Sequence, residues 1–332
     1  MRVNAAWARL CALGTSLAIG LLLAAASRAA DTYPDRKVRV IVPFAAGGPT
    51  DVIARMVAER LSEAWGQQLY VENMPGAGGN LGVENGARAA PDGYTVVLGN
   101  LGTHVFNGAI YSLGYDLVND FEAVALLPSN NQFIIARNAV PADNLRELIA
   151  WVKSNSDKVT CGTAGPGSPS HIAAVYFQNT IGVRFQLVPY RGTPQVLQDL
   201  VAGQVDIVFD QVSSSLPQVR SGTIKAFAVT AKSRLEAVPE IPSVDEAGLP
   251  GFYTTFWFGL WAPKGTPGSI IERLNSALVE TLADTTVRSR LRDLGSEIPP
   301  REQQTPQALA GLQKAEIEKW WPIIKAANIK AE

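Results

Sequence analysis

The chain has 332 residues, of which 47% are apolar and 18% are charged, and its formal net charge is -1. A chain of this length and polarity buries a large core, and one core usually divides into two domains at about this size. The lack of any basic excess argues against nucleic-acid binding. We therefore expect a two-domain globular protein.

The first residues have the pattern of a secretory signal peptide. Arg2 and Arg9 precede the apolar run 10–26, and small residues follow. We expect cleavage after Ala29, because cleavage after Ala30 would put an arginine at one of the two small-residue positions. The alternative, an uncleaved membrane anchor, is disfavoured because the run is shorter than the ~20 residues that a span needs.

Removal of residues 1–29 takes away three arginines and no acid, which leaves 26 basic residues against 30 acidic ones. Cys161 is then the one remaining cysteine. A secreted protein with a single cysteine cannot depend on disulfides, so its stability must come from the core. We expect Cys161 to be a small buried residue in a strand.

The N-terminal part of the mature chain alternates strand and helix patterns. Residues 50–65 carry apolar side chains at the spacing of one helix face, and a second helical pattern opens at 75–80 and closes at the Pro-Asp-Gly turn of 91–93. The strands before, between and after them are predicted at "KVRVIVPF", "QLYVEN" and "YTVVLGN". This order predicts βαβ units and a parallel sheet.

A second alternating series follows residues 121–140, where two extended stretches have no helix between them. After this series come a β-prone run at 253–265 and helices predicted at about 267–294 and 306–327. We interpret the extended stretches as crossings between lobes. The predicted organisation is domain I from 31 to 133 plus 251 to 332, and domain II from 134 to 250, with a ligand cleft between them.

The residues on offer for catalysis are few. His104, His171 and Cys161 are scattered without metal-ligand spacing, so we predict no metal site. The main enzymatic alternative is a hydrolase that uses Ser168 or Ser170 with His171. Neither serine lies in the Gly-x-Ser-x-Gly pattern of a nucleophile elbow, and a base so near in a helix would point away. We therefore expect no enzyme.

Anion binding fits the sequence better. Glycine-bearing loops at 45–51, 75–80 and 162–171 each follow a strand and precede a helix, where unpaired N–H groups attract anions. None of them matches a nucleotide fingerprint or carries a phosphate-binding lysine, which favours a small anion. Asp51 and Asp210 are candidates for orienting the loop amides, or for holding waters or a cationic group; for Asp51, a plain helix N-terminal acid is the alternative.

The sequence resembles the Bug family, the periplasmic receptors of tripartite tricarboxylate transporters. The stretches that carry the resemblance, from about Tyr33 to the C-terminus, include "VRVIVPFAAGGPTD", "ENMPGAGGNLG", "AAPDGYTVVLGNLGTH", "GTAGPGSPSH", "PYRGTPQVLQDLVAGQVDIVFD" and "WFGLWAPKGTP". The resemblance implies an α/β fold of two lobes that close on a small organic carboxylate like a Venus flytrap, each lobe a mainly parallel sheet flanked by helices. It also implies delivery to membrane permease subunits, with a sensor kinase as the alternative partner, and no cofactor.

The resemblance also implies the binding residues. In the family, the loop 44–51 and the loop 162–171 hold a ligand carboxylate through backbone groups, hydroxyls and waters. The residues expected here are Phe44, Ala46, Gly47, Gly48, Thr50, Asp51, Thr163, Ala164, Ser168, Ser170 and His171. For the far end of the pocket we expect Thr103, His104, Phe106, Arg191, Asp210, Trp257 and Phe258.

The ligand itself stays open at this level. Phe106 and Phe258 predict a pocket for an aromatic or medium-chain carboxylate, unless both are packing residues. Dicarboxylates, amino acids and nicotinate-like acids are equally compatible with a carboxylate site. We expect the receptor to act as a monomer.

Overall fold

The computed structural model describes residues 33–326 and 329–330. The predicted signal peptide lies outside the described residues. The strands are β1 Val38–Val42, β2 Leu69–Asn73, β3 Thr95–Asn100, β4 Phe121–Arg137, β5 Thr160–Thr163, β6 Gln186–Pro189, β7 Ile207–Gln211, β8 Ile224–Val229, β9 Thr255–Pro263 and β10 Ser296–Glu297.

Helices follow most of the strands, as the alternating pattern predicts. They are α1 Pro49–Trp65, α2 Asn80–Ala87, α3 Asn107–Ile110, α4 Leu145–Ser154, α5 Pro169–Ile181, α6 Thr193–Ala202, α7 Val212–Arg220, α8 Gly268–Ala283, α9 Thr285–Asp293 and α10 Pro306–Ala326. Within the described residues, no helix is both long and apolar enough to span a bilayer.

The strands form two groups around the long strand β4. Parallel pairs β2-β1-β3 are extended by antiparallel β9 and by the first half of β4, and we call this group with its helices lobe I. Parallel pairs β6-β5-β7 are extended by the second half of β4 and by β8, and these form lobe II. Each lobe is thus a mixed sheet rather than a mainly parallel one, with parallel pairs on its outer side and antiparallel pairs at the junction.

The chain passes between the lobes in extended strands. β4 pairs with β9 as far as Asn131, and it pairs with β7 from Gln132 onward. The return passage precedes Thr255, the residue of β9 that lies opposite Asn131. The two passages therefore run side by side, which is the arrangement of a hinge.

Apolar clusters cover both faces of each sheet. In lobe I, α1, α8 and α9 pack on one face and α10 packs on the other. In lobe II, α4 and α5 cover one face, and α6 and α7 cover the other. Cys161 is fully buried in the first of these lobe II clusters, as expected. The layered packing fixes the strand ends, from which the binding loops extend.

Two local predictions were wrong, and one short strand was not predicted. The two extended stretches before residue 140 form one strand, β4, and the two-residue strand β10 carries no signal of its own. The helix predicted at 267–294 is interrupted at Asp284. This residue has extended backbone geometry, and its carboxylate accepts from the N–H groups of Thr286 and Val287, so it caps the start of α9.

Candidate functional site

A small cavity lies between the lobes, with a free volume of about 20 Å³. We call it the inner cavity. It is lined by Phe44, Gly48, Pro49, Thr50 and Asn100 of lobe I and by Gln132, Ala164, Pro169, Ser170, Thr193, Asp210 and Gln211 of lobe II. This volume holds roughly one water molecule. The lobes must therefore separate to admit a small organic acid.

Four helices begin at the inner cavity. α1 begins at Pro49, α5 at Pro169 and α6 at Thr193, and α7 begins directly after Gln211. The first N–H groups of a helix have no intrahelical partner, and its N-terminus carries partial positive charge. Among the residues that the structure describes, neither lysine nor arginine lines the inner cavity. Such an arrangement is suited to an anion that neutral donors hold.

The loop between β1 and α1 is held by Asp51. Its Oδ2 accepts from the Gly47 N–H and from Arg55 Nε, both at 2.8 Å, and Asn73 donates to its Oδ1 at 2.9 Å. Asn73 also donates to the Phe44 carbonyl at 3.0 Å. Burial alone would raise the pKa of Asp51, but these hydrogen bonds outweigh it and hold the pKa below its ordinary value.

Asp51 does not line the inner cavity; its carboxylate shapes the loop. Gly47 lies in the left-handed region with φ +79°, which lets the loop turn toward α1. Ala46 and Gly47 are on the exposed side of this turn. Of the loop residues predicted to bind, only Phe44, Gly48 and Thr50 reach the inner cavity.

The loop between β5 and α5 is held by its own hydroxyl groups. Ser168 Oγ accepts from the His171 N–H at 3.3 Å and thereby caps α5, and Ser170 Oγ accepts from the Ala164 N–H at 2.9 Å. The Thr163 hydroxyl accepts from the Gly165 N–H at 3.4 Å. Ser170 and Ala164 line the inner cavity, whereas Ser168 and Thr163 support the loop from behind.

His171 is not placed as a catalytic base. Its Nδ1 accepts from the Gly167 N–H at 3.2 Å, and burial lowers the pKa of His171 to about 4. The Ser170 hydroxyl is paired with Ala164 and lies 3.1 Å from Ser168 Oγ, and neither serine is hydrogen-bonded to the imidazole. The imidazole thus holds the loop, and the hydrolase geometry is not formed.

Asp210 is the only charged residue among those that line the inner cavity. It is 2% exposed, and Ser214 Oγ donates to its Oδ2. Burial raises the pKa of Asp210 to about 6, although polar groups of Ser214, Ser215, Gln211 and Thr193 act in the opposite direction. The inner cavity therefore combines helix N-termini, which favour an anion, with a carboxylate, which repels one.

A second, larger cavity lies beside the inner one. This mouth cavity has a volume of about 450 Å³ and shares Phe44 and Ala164 with the inner cavity. Its wall includes Arg191, the loop 76–79 and Pro166. Arg191 therefore lines the mouth cavity and not the inner cavity.

Several residues expected at the far end of the pocket do not line the inner cavity. Phe258 is fully buried in the lobe I core. His104 is also fully buried and stacks on Trp261 at 3.6 Å between ring centroids, and burial lowers the pKa of His104 to about 3. The Thr103 hydroxyl binds the backbone of Asn100. These side chains pack within lobe I.

Phe106 and Trp257 line a different cavity of about 480 Å³ beside the hinge strands, together with Trp320 and other side chains. This cavity shares no residue with the inner cavity. The aromatic residues therefore give no indication about the length or flatness of the ligand.

Sequence reasoning missed half of the inner-cavity lining: Pro49, Asn100, Gln132, Pro169, Thr193 and Gln211. Asn100 and Gln211 lie at the ends of strands, and the two prolines and Thr193 lie at the starts of helices. Their position at the carboxyl ends of the strands is the sequence signal that could have identified them as lining residues. Gln132 carried no such signal, because it lies within the long strand β4.

Comparison with known proteins identifies relatives along the whole fold. The model of the tripartite tricarboxylate transporter family receptor matches residues 53–329. The structure of the periplasmic binding protein BugD is 38% identical and superposes with a TM-score of 0.86, over 90% of this chain and 100% of that one.

Two further structures hold ligands. MatC from Rhodopseudomonas palustris with bound malate is 41% identical with a TM-score of 0.84, over 88% of this chain and 100% of that one. An R. palustris protein with adipate is 33% identical with a TM-score of 0.86, over 90% and 99%.

The two lobes, the paired hinge strands and the cavity between them define the class of periplasmic binding proteins. Within this class, the chain belongs to the family of tripartite tricarboxylate transporter receptors, which includes the Bug proteins. The predicted family and fold are confirmed, and so is the expectation of a solute receptor rather than an enzyme.

Proposed function

We propose that this receptor binds a small organic carboxylate in the inner cavity and delivers it to a membrane permease of the tripartite tricarboxylate type. The observation that carries the proposal is that four helices begin at one cavity, whose described lining residues include no basic side chain. Backbone N–H groups and the hydroxyls of Thr50 and Ser170 bind the carboxylate. The malate and adipate of the two relatives support this ligand class.

The predicted domain boundaries are part of this proposal, with residues 134–250 as the moving domain II. The lobes separate about the paired passages of β4 and β9, the ligand enters, and closure brings α5 against α1. A ligand that contacts both lobes binds the closed form better than the open one, which is the free-energy difference that drives closure.

The receptor is proposed to act in the periplasm, after removal of the predicted signal peptide. The relatives described as periplasmic support this location. Closure then gives the permease a surface that differs between the loaded and the empty receptor.

A thermal-shift screen of the mature chain tests the proposal. The panel contains malate, succinate, adipate, glutamate and benzoate, each beside its neutral amide. A ligand present at 100 times its dissociation constant adds about 2.7 kcal/mol to the free energy of unfolding. We expect at least one acid to raise the melting temperature in a saturable way. Stabilisation by no acid, or by acids and amides alike, contradicts the proposal.

A variant pair shows where the acid binds. Thr50→Val removes a hydroxyl from the inner cavity with little change in shape, and Thr180→Val makes the same change on the exposed side of α5. We expect the first variant to reduce the ligand-induced shift and the second to leave it unchanged.

A further inference from the structure

We propose that Asp210, Gln132 and Gln211 make the site selective for acids that carry a hydroxyl or ammonium group near the bound carboxylate, over acids that lack such a donor. We call these three residues the acceptor cluster. The inference rests on the proposed function, because it concerns the part of the ligand beyond the carboxylate.

The acceptor cluster lies at the crossing between the lobes. Gln132 of β4 is the register partner of Gln211 of β7, and Phe133 is the partner of Asp210. All three members of the cluster line the inner cavity, and each is at most 3% exposed. They therefore form one wall of the cavity.

Two acceptors of this wall have no donor. The Oε1 atoms of Gln132 and Gln211 are buried and have no hydrogen-bond partner among the described residues. The side-chain nitrogen of Gln132 donates to the Phe209 carbonyl at 3.3 Å. Its Oε1 atom is therefore available to a donor on a ligand. A buried acceptor without a donor destabilises the closed form, because the hydrogen bond that it made to water is not replaced. A ligand donor at this wall replaces that bond.

Asp210 adds charge to the same wall. A carboxylate has about four acceptor positions, and among the described residues Ser214 Oγ is the one side-chain donor within hydrogen-bond distance of Asp210. At neutral pH the carboxylate is ionised and accepts only. An ammonium or hydroxyl group on the ligand donates to it, whereas an ionised second carboxylate is repelled.

The position of the wall relative to the carboxylate determines the ligand class. β7 pairs with β5 in parallel, with Cys161 beside Ile207 and Gly162 beside Val208. Continuing this register puts Asp210 beside Ala164, at the loop that leads to the N-terminus of α5. A donor that reaches Asp210 is thus close to the bound carboxylate, as in 2-hydroxy and 2-amino acids. A second carboxylate faces away, toward Arg191 at the mouth cavity.

The test compares acids that differ only in the donor. Isothermal titration calorimetry at pH 7.5 measures dissociation constants of the mature receptor for succinate, malate and aspartate, for propionate, lactate and alanine, and for glutarate, 2-hydroxyglutarate and glutamate. We expect a donor-bearing acid to bind at least about tenfold more tightly than its unsubstituted counterpart.

The variant Asp210→Asn keeps the shape of the side chain and removes its charge. We expect it to reduce this preference by about tenfold, more for the amino acids than for the hydroxy acids, because an ammonium group loses a charge-assisted bond. The control is Asp206→Asn, the same change at the opposite end of β7, where Asp206 pairs with Arg137. This variant should keep the wild-type preference.

The outcomes separate the two ideas. Binding of the unsubstituted acids as tightly as their substituted partners, or an equal preference in wild type and Asp210→Asn, overturns the inference and leaves the proposed function standing. Binding of no acid at all by the wild type contradicts the proposed function, and the inference falls with it.

Discussion

The hydroxyl of Tyr111 in lobe I donates a hydrogen bond of 2.5 Å to the carbonyl oxygen of Pro166 in lobe II. Burial raises the pKa of Tyr111 to about 12, so the hydroxyl keeps its proton at neutral pH. The bond joins the loop after α3 to the loop before α5, and neither residue lines the inner cavity. It stabilises the closed lobes independently of what they enclose.

Tyr111→Phe should therefore weaken the binding of every ligand by a similar factor. A hydrogen bond of this kind contributes about 0.5–1.5 kcal/mol, which corresponds to a roughly 2- to 10-fold higher dissociation constant. Stopped-flow tryptophan fluorescence should show the change mainly as faster dissociation. The control is Tyr70→Phe on the exposed side of β2. A change in the rank order of ligands would show that Tyr111 contacts the ligand instead.

Gly48→Val should weaken binding of every carboxylate by at least about tenfold. A Cβ atom at Gly48 lies 3.3 Å from the Ala45 carbonyl oxygen and 3.9 Å from Pro194 Cδ of lobe II. The methyl groups of valine extend further, into the space that lobe II occupies on closure. Calorimetry measures the loss. Gly268→Val is the matched control, because nothing lies within 4 Å of a Cβ added there. Unchanged affinity in folded Gly48→Val refutes this account of the loop.

Phe258→Ala should destabilise the fold and leave ligand preference unchanged. The side chain is 0% exposed and belongs to the lobe I core, so its removal leaves a cavity that costs about 3–5 kcal/mol. Urea unfolding measures this loss. If the variant has wild-type stability but a different rank order of ligand affinities, Phe258 contacts the ligand and this prediction is wrong.

Asp210 should make stability depend on pH in a defined direction. Its pKa is raised from 3.8 to about 6 in the folded protein, so the folded state binds this proton more tightly than the unfolded chain does. The contribution is complete below about pH 4 and is lost as pH rises through about 6. Relative to Asp210→Asn, the wild type should lose up to about 3 kcal/mol of unfolding free energy between pH 4 and 7.

Urea unfolding of both proteins at each pH gives this difference directly. The contributions of His104 and His171, whose pKa values burial lowers, are common to both proteins and cancel in the subtraction. A difference that does not change with pH would mean that Asp210 has an ordinary pKa in the folded protein.

The sequence was sufficient to predict the alternating strands and helices, because the signals for these elements are local. Apolar spacing and turn residues predicted α1, α5 and the strands around them to within a few residues. The break at Asp284 was missed because a cap depends on backbone geometry, which helical periodicity does not report.

The site was predicted in part for the same reason. Gly48, Thr50 and Ser170 lie in loops with a recognisable pattern, and they line the inner cavity. Gln132 was missed, and Phe258 was expected at the site although it lies in the lobe I core, because the direction of a side chain on a buried strand depends on which strands pair beside it. That pairing joins residues more than a hundred positions apart, such as Asn131 and Thr255.

The most direct test of the central claim is calorimetry of the mature receptor with an acid and its neutral amide. The pairs are malate with malamide and adipate with adipamide, followed by whichever acid the thermal-shift screen selects. We predict saturable binding of one acid per chain and no measurable binding of the matching amide, because the helix N-termini recognise the ionised carboxylate. Equal affinity for acid and amide, or no binding of any acid, would contradict the account.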